Sequence, residues 1–277
     1  MQNHDHSEGL ARDWAVLKSR REALGWLGAG ALAFVAGCGG GGDATAEEVS
    51  ATGTASPAAS GSCSVIPSET AGPYPGDGTN NGGTGGVANA LAQSGIVRGN
   101  IVSSFGASSG SAAGVPLAVT LKLVNAGNSC APLQGYAVYL WHCDQLGRYS
   151  MYSSGAIAEN YLRGVQVSDA NGELTFTTIF PGCYDGRWPH IHFEVFASLA
   201  RATSGSNDIK TSQIALPAAA AGAVYADSRY AGSASNLSRV SLASDGVFSD
   251  GATLETPSIT GDAASGYAIT LQVGVAA

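Results

Sequence analysis

Positive charge is scarce in this sequence. Its 277 residues include 13 Lys and Arg against 21 Asp and Glu, which gives a formal net charge of -8. Proteins that bind nucleic acid neutralise its phosphates with clustered Lys and Arg, and only three Lys occur here. The composition therefore argues against a nucleic-acid partner, and beyond solubility it implies little else.

Long helical patterns are also missing. No stretch keeps apolar residues at a helical period, and the 39 Gly favour turns over helices. From residue 63 onward the sequence has short apolar runs with a period of two, among them YAVYLWHC, ELTFTTIF and IHFEVF. These runs predict an all-β sandwich or barrel with few short helices, one of them within residues 214–226. The stretch SDANGEL, residues 168–174, predicts a hairpin turn.

The first residues have the composition of an export signal. Arg20 and Arg21 precede a short, weakly apolar run that ends in VAGC at Cys38. Because this run is short for a membrane span, we expect residues 1–37 to be a cleaved signal, similar to a twin-arginine signal. The VAGC ending resembles a bacterial lipobox, so Cys38 would become the lipidated first residue of a periplasmic or cell-surface lipoprotein. An ordinary signal that is cleaved nearby is the alternative.

The remainder divides into two parts of different composition. Residues 38–62 are mostly Gly, Ala, Ser and Thr, which predicts a flexible tether. Residues 63–277 carry the apolar runs and are expected to form the folded domain. Such an arrangement suits a domain that is attached to the membrane by its lipid anchor only.

Four cysteines follow Cys38, and an even number in an exported chain predicts two disulfides. Three pairings are possible from sequence alone. We favour Cys63 with Cys130 and Cys143 with Cys183, because the second pair flanks the two candidate ligand regions described next. A four-thiolate zinc site is the competing interpretation, but the sequence lacks a C-x-x-C pair.

Histidine is rare, yet two of the five lie one residue apart in RWPHIHFEV. Side chains alternate faces along a strand, so His190 and His192 would point to the same side and could coordinate one metal ion. Tyr184 and Tyr149 are the best-placed further donors. A phenol has a pKa of about 10, and a trivalent cation strongly favours its ionised form. Two phenolates with two imidazoles suit ferric iron, whereas His142 is expected to be a supporting or surface residue.

Four motifs in fixed order carry a resemblance to a known family: ETAGPYPGDG, WHCDQLGRY, TIFPGCY and GRWPHIHFEV. Together they resemble the intradiol ring-cleavage dioxygenases, the family of protocatechuate and catechol dioxygenases. The resemblance implies a β-sandwich with a prealbumin- or immunoglobulin-like core. It also implies that a non-haem Fe(III) is bound by Tyr149, Tyr184, His190 and His192. Arg187 matches the family's active-site arginine, and Gly72, Pro73 and Tyr74 match one wall of its substrate pocket.

The same resemblance implies a reaction. A catechol-type aromatic diol would be opened by O2 between its two hydroxylated carbons, giving a cis,cis-muconate-type diacid. Tyr184 would leave the metal and accept a substrate proton, while Arg187 would stabilise negative charge on the ring. Only five residues separate Tyr184 from His190, fewer than we expect in this family, so the substrate's identity stays open.

Two other interpretations of the sequence remain, and the oligomeric state is also open. The first is an exported, catalytically weak relative that binds a catechol-containing ligand at the cell surface. The second is a β-sandwich module for carbohydrate binding or adhesion, which would leave the five convergent site residues unexplained.

Overall fold

The structure is a computed structural model that describes residues 63–277. The predicted signal, its Cys38 and the tether lie outside these residues. Strands and helices occur at these bounds: β1 Asp77–Asn81, β2 Val87–Asn89, β3 Pro116–Asn125, β4 Ala131–Pro132, β5 Ala137–Trp141, β6 Arg163–Val167, β7 Glu173–Ile179, β8 His190–Phe196, β9 Lys210–Ala215, α1 Ala218–Val224, α2 Ser233–Leu237, β10 Ser258–Asp262 and β11 Gly266–Val275.

Two larger sheets form a sandwich, as the period-two pattern predicted. One sheet has the order β6-β5-β8-β9, and the other has the order β10-β11-β3-β4 with β7 also paired to β3. The main hydrophobic core lies between them and includes Leu121 of β3, Phe176 of β7 and Phe193 of β8. The prediction of an all-β sandwich with few short helices is confirmed, and α1 lies within the predicted 214–226 range.

Strand β8 is buried on both of its faces. Ile191, Phe193 and Val195 point into the main core, so the alternation of a strand sends His190 and His192 to the outer face of their sheet. On that face a second cluster of buried residues includes Tyr139, Trp141 and Tyr149. The outer face of the four-stranded sheet is therefore where the candidate ligands meet.

The segment that precedes β1 runs along the edge of the four-stranded sheet. The Glu69 N–H donates to the carbonyl of Thr211 in β9, and the Ile66 N–H donates to that of Gly274 in β11. A disulfide joins Cys63 to Cys130, which is the pairing favoured above. These contacts fix the start of the segment that leads to Gly72, Pro73 and Tyr74.

The structure also bears on the predicted turn at SDANGEL and on membrane-spanning helices. SDANGEL does form a tight turn, in which the Gly172 N–H donates to the Asp169 carbonyl. The strands on either side of it, β6 and β7, belong to different sheets, so the turn crosses the sandwich and does not close a hairpin. Within residues 63–277, no helix is long and apolar enough to cross a membrane.

Candidate metal centre

Four side-chain donor atoms from three segments of the chain converge on one point. The distances are 3.1 Å from His190 Nε2 to His192 Nε2, 3.2 Å from Tyr149 Oη to His192 Nε2, 3.2 Å from Tyr184 Oη to His190 Nε2, and 3.4 Å from Tyr149 Oη to His190 Nε2. Donors that each lie about 2.0–2.1 Å from one metal ion would be separated by about 3 Å. The four residues predicted as ligands are therefore arranged as one metal ion requires.

The two tyrosines come from loops at the same end of the sheet. Tyr149 lies beyond β5, where its N–H donates to the Ser153 hydroxyl and its carbonyl accepts from the Tyr152 N–H. Tyr184 lies beyond β7 and is half-buried, whereas Tyr149 is 2% exposed. In the part of the chain that the structure describes, no three His, Cys, Asp or Glu side chains form a metal cluster, so the tyrosines are needed to complete this site.

Each histidine is held in a defined orientation. The Nδ1–H of His190 donates to the Trp188 carbonyl at 2.5 Å, which leaves the Nε2 lone pair directed at the other donors. The ring of His192 stacks on Trp141, with centroids 4.9 Å apart and an interplanar angle of 7°. These contacts arrange both imidazoles before any ion is bound.

Burial favours the uncharged forms of Tyr149, His190 and His192 in the absence of a cation. Desolvation, reinforced by the nearby Arg187 guanidinium, holds the pKa of His190 well below its ordinary value. Desolvation and the neighbouring His190 do the same to the pKa of His192. Desolvation and the adjacent Tyr184 raise the pKa of Tyr149 well above that of a free phenol. A highly charged metal ion would reverse this preference, because it stabilises the phenolate that burial disfavours.

Arg187 is 2% exposed, and its guanidinium donates hydrogen bonds to the side chains of Asp245 and Gln213. Its Nε donates to Asp245 Oδ2 at 3.0 Å, and its Nη2 donates to Gln213 Oε1 at 2.8 Å. Gln213 lies directly opposite His192 in the β8–β9 ladder. Asp245 Oδ2 also accepts the Trp188 N–H at 2.7 Å. The guanidinium is thus tied to the ligand strand by an amide and a carboxylate that the sequence reasoning did not identify.

The predicted substrate wall lies beside the candidate metal ligands. The Tyr74 ring is 5.0 Å from the Tyr149 ring and 5.3 Å from the Tyr152 ring, measured between centroids. The Gly72 N–H donates to the Thr70 hydroxyl at 3.0 Å, and the Pro73 carbonyl accepts from Asn80 Nδ2 at 2.7 Å. The structure therefore places Tyr74 next to the candidate metal centre, while Gly72 and Pro73 form the turn that precedes Tyr74.

His142 does not join the ligands. It is 1% exposed, and its Nδ1 and Nε2 lie 2.8 Å from the Cys143 carbonyl and 2.7 Å from the Thr178 hydroxyl. Burial lowers the pKa of His142 to about 4, so the ring is neutral at neutral pH. The expected supporting role fits this buried position, and the expected surface position does not.

The predicted disulfide between Cys143 and Cys183 is wrong, because both cysteines are free and buried. The Cys143 thiol donates to the Gly182 carbonyl at 3.4 Å, and the Cys183 thiol donates to the Arg187 carbonyl at 3.4 Å. The two thiols are thus directed at different carbonyl groups. Burial raises the pKa of Cys183 to about 12, which keeps this thiol protonated.

Gly147 makes room for the candidate ligand Tyr184. Its φ is +76°, and a Cβ at this position would lie 2.9 Å from Tyr184 Cβ. We expect Gly147→Ala to displace Tyr184 and to reduce Fe(III) loading and the visible absorbance of the loaded protein. It should also cost about 1–2 kcal/mol of stability, because a residue with a Cβ is strained in this conformation.

Gly135→Ala is the matched control for this prediction. Gly135 has a φ of +82°, and a Cβ there would meet nothing within 4 Å. Urea unfolding should show a similar loss of stability in both variants, whereas iron loading should fall only in Gly147→Ala. Equal iron loading and equal spectra in the two variants would contradict the role given to Gly147.

Comparison with known proteins supports the same assignment. Residues 102–204 match a family model described as "Dioxygenase". A search among curated proteins finds no match. The intradiol ring-cleavage dioxygenase from Tetranychus urticae is 28% identical, with a TM-score of 0.57 over 77% of this chain and 94% of that one.

Two further solved structures are more distant. The dioxygenase domain of a carbohydrate-binding protein fusion from Streptomyces sp. SirexAA-E is 22% identical, with a TM-score of 0.47 over 76% of this chain and 98% of that one. Catechol 1,2-dioxygenase from Pseudomonas arvilla C-1 is 20% identical, with a TM-score of 0.41 over 72% of this chain and 62% of that one. The family match and the Tetranychus structure bear out the resemblance seen in the four motifs: the chain is similar to the intradiol ring-cleavage dioxygenases.

Proposed function

We propose that this protein is a non-haem Fe(III) dioxygenase that opens a catechol-type ring between its two hydroxylated carbons. O2 would supply both oxygen atoms that enter the product, a cis,cis-muconate-type diacid. The observation that carries the proposal is the convergence of two phenol oxygens and two imidazole nitrogens, with separations between 3.1 and 3.4 Å. A β-sandwich that served only adhesion or carbohydrate binding would have no need of this arrangement.

The chemistry of the donor set supports iron in the ferric state. Phenolate oxygens are hard, anionic donors, which favour a trivalent cation over zinc or ferrous iron. Two phenolates would also offset part of the ion's charge inside a buried site, where uncompensated charge is costly. When bound, Fe(III) would act as a Lewis acid that draws both catechol oxygens into its coordination shell and activates the ring toward O2.

The two tyrosines are suited to different tasks. Tyr149 is almost completely buried and packs against Tyr74, so it is suited to remain a fixed ligand. Tyr184 is half-buried and lies in a loop, so it can move aside more easily when substrate arrives. Its phenolate would then take one of the two protons that the diol loses on binding. We therefore assign the role of general base to Tyr184.

Arg187 supplies fixed positive charge next to the reacting ring. The ring carbon that attacks O2 must first carry negative charge, and a preorganised cation stabilises this charge without reorientation. Asp245 and Gln213 hold the guanidinium in place, at 3.0 and 2.8 Å. Tyr74 lies 5.0 Å from Tyr149 and would cover one face of the bound ring.

A single optical experiment tests the proposal. The purified protein would be loaded with Fe(III), analysed for metal, and followed in the visible and near-ultraviolet range after catechol is added in air. We expect a phenolate-to-Fe(III) band that shifts when catechol binds and recovers while a muconate absorbance grows and O2 is consumed. A protein that takes up no iron would overturn the proposal. A spectral shift without O2 uptake would instead indicate the weakly active catechol-binding relative.

We also propose that the protein is exported from the cytoplasm. The Cys63–Cys130 disulfide supports it, because disulfides persist mainly in oxidising compartments. Cell fractionation with thiol labelling would test this point. Recovery of the protein in the cytoplasm with both cysteines reduced would contradict it.

A further inference from the structure

Arg163 is a buried arginine that lies next to the metal centre but does not reach the four donors. It is 1% exposed, and all five N–H groups of a guanidinium can be assigned here to oxygen acceptors. Nε donates to Ser150 Oγ at 3.0 Å. Nη1 donates to the Pro75 carbonyl and to Tyr139 Oη, the latter at 2.9 Å. Nη2 donates to the carbonyls of Tyr74 and Ser150, both at 2.9 Å.

Through these acceptors, Arg163 connects two segments of the chain that have separate tasks. Tyr74 belongs to the predicted substrate wall and Pro75 directly follows it, whereas Ser150 directly follows the ligand Tyr149. The rings of Tyr74 and Tyr149 lie 5.0 Å apart. One planar group is therefore bound to the backbone on both sides of this aromatic pair.

The chemistry of the bonds explains why arginine occupies this position. None of the five bonds ends on a carboxylate, so the contact is a bridge between main-chain and hydroxyl oxygens and not an ion pair. Lysine has its three donors on one nitrogen atom, and it could not reach Tyr74, Pro75 and Ser150 in the same way. The shape of the guanidinium is therefore what this position requires.

The backbone around this bridge has unusual conformations. Leu162 precedes Arg163 with a φ of +57°, and Met151 follows Ser150 with a φ of +70°. Residues other than Gly seldom adopt such values, which persist only where surrounding contacts enforce them. At Gly76 a Cβ would lie 2.8 Å from Arg163 Nη1, so the wall segment passes directly against the guanidinium.

We propose that Arg163 is a positioning residue that holds the Tyr74 wall against the Tyr149 loop, and so fixes the position of the wall that the substrate ring would meet. The inference rests on the proposed function, because it assumes that a flat aromatic ring binds against that wall. Loosening the bridge should weaken substrate binding more than it slows turnover. It should also free both bridged segments in the metal-free protein.

Arg163→Lys tests this role, with Arg98→Lys as the matched control. Arg98 is half-buried and likewise donates to backbone carbonyls, those of Ser103, Asn160 and Arg163, none of which belongs to the wall or the ligand loop. Hydrogen exchange would be followed by mass spectrometry in the metal-free proteins. In Arg163→Lys we expect exchange at residues 74–77 and 149–152 to be on the order of tenfold faster. The same peptides should be unchanged in Arg98→Lys.

Kinetics with catechol would complete the test. In Arg163→Lys we expect KM to rise on the order of tenfold and kcat to change by less than about threefold, the pattern of lost binding and not of lost chemistry. If the lysine variant does not fold, Tyr139→Phe replaces it, since this change removes one acceptor of the guanidinium and one donor to the Pro75 carbonyl.

The outcomes separate this inference from the proposed function. Faster exchange in only one of the two segments, or equal changes in the Arg98 control, would overturn the positioning role. A loss of kcat with an unchanged KM would overturn it as well. If the wild-type protein neither binds iron nor consumes O2, the proposed function fails, while the exchange data still decide whether Arg163 couples the two segments.

Discussion

Replacing Tyr149 by Phe is expected to slow ring cleavage severely and to remove the part of the iron-loaded protein's visible absorbance that the Tyr149 phenolate supplies. The substitution deletes one donor atom, which lies 3.2 Å and 3.4 Å from the two imidazole Nε2 atoms. Lewis-acid stabilisation by a bound metal contributes several kcal/mol to a reaction, and each 1.36 kcal/mol is a factor of ten in rate. We therefore expect kcat/KM to fall by at least about 10³-fold, measured as O2 uptake with catechol.

Tyr161→Phe is the control for this experiment. Tyr161 is 5% exposed and donates to Asp144 Oδ2 at 3.1 Å, so the variant also loses a buried hydroxyl group and its hydrogen bond. Its stability should fall while its spectrum and activity are retained. If Tyr149→Phe kept the spectrum of the unmodified protein, Tyr149 would not be a ligand and the assignment of the centre would be wrong.

Local chemistry explains which features of the fold and site were predictable. The alternation of β8 follows from three apolar residues that must enter the core, and it places His190 and His192 on the opposite face. Tyr149 and Tyr184 were candidate donors by their chemistry, and the family resemblance strengthened the expectation that they converge on these histidines. No spacing rule places two loops, separated by more than thirty residues of sequence, against the same strand.

The features that sequence analysis missed depend on contacts between distant segments. Asp245 binds Arg187 across 58 residues of sequence, and no local pattern marks it. Gln213 could have been found only if the register of β9 against β8 were known. The wrong Cys143–Cys183 pairing has the same origin. Two cysteines in neighbouring segments form a disulfide only if their thiols point at each other, and the sequence does not determine that direction. The crossing at SDANGEL shows likewise that a turn signal does not specify which sheet the next strand joins.

Replacing Arg187 by Ala is expected to leave iron and its colour in place but to slow ring opening by about 10²- to 10³-fold in kcat, the usual effect of removing one electrostatic stabiliser. The guanidinium is not among the four donor groups, so the ligand set would remain. Removing it also leaves the Asp245 carboxylate, which is fully buried, without its cation. Breaking a buried ion pair in this way typically costs about 3–5 kcal/mol, so the variant should unfold at a lower urea concentration.

In Arg187→Ala, the loss of stability must be distinguished from the loss of catalysis. The variant Asp245→Asn makes this distinction. It breaks the same ion pair but retains the guanidinium, which is still held by Gln213 at 2.8 Å. Both variants should be destabilised, whereas kcat in Asp245→Asn should exceed that of Arg187→Ala by at least about tenfold, because the charge that faces the ring is still present. Single-turnover measurements on iron-loaded protein would compare them. Equal rates in the two variants would mean that Arg187 supports the fold of the site and does not stabilise the transition state directly.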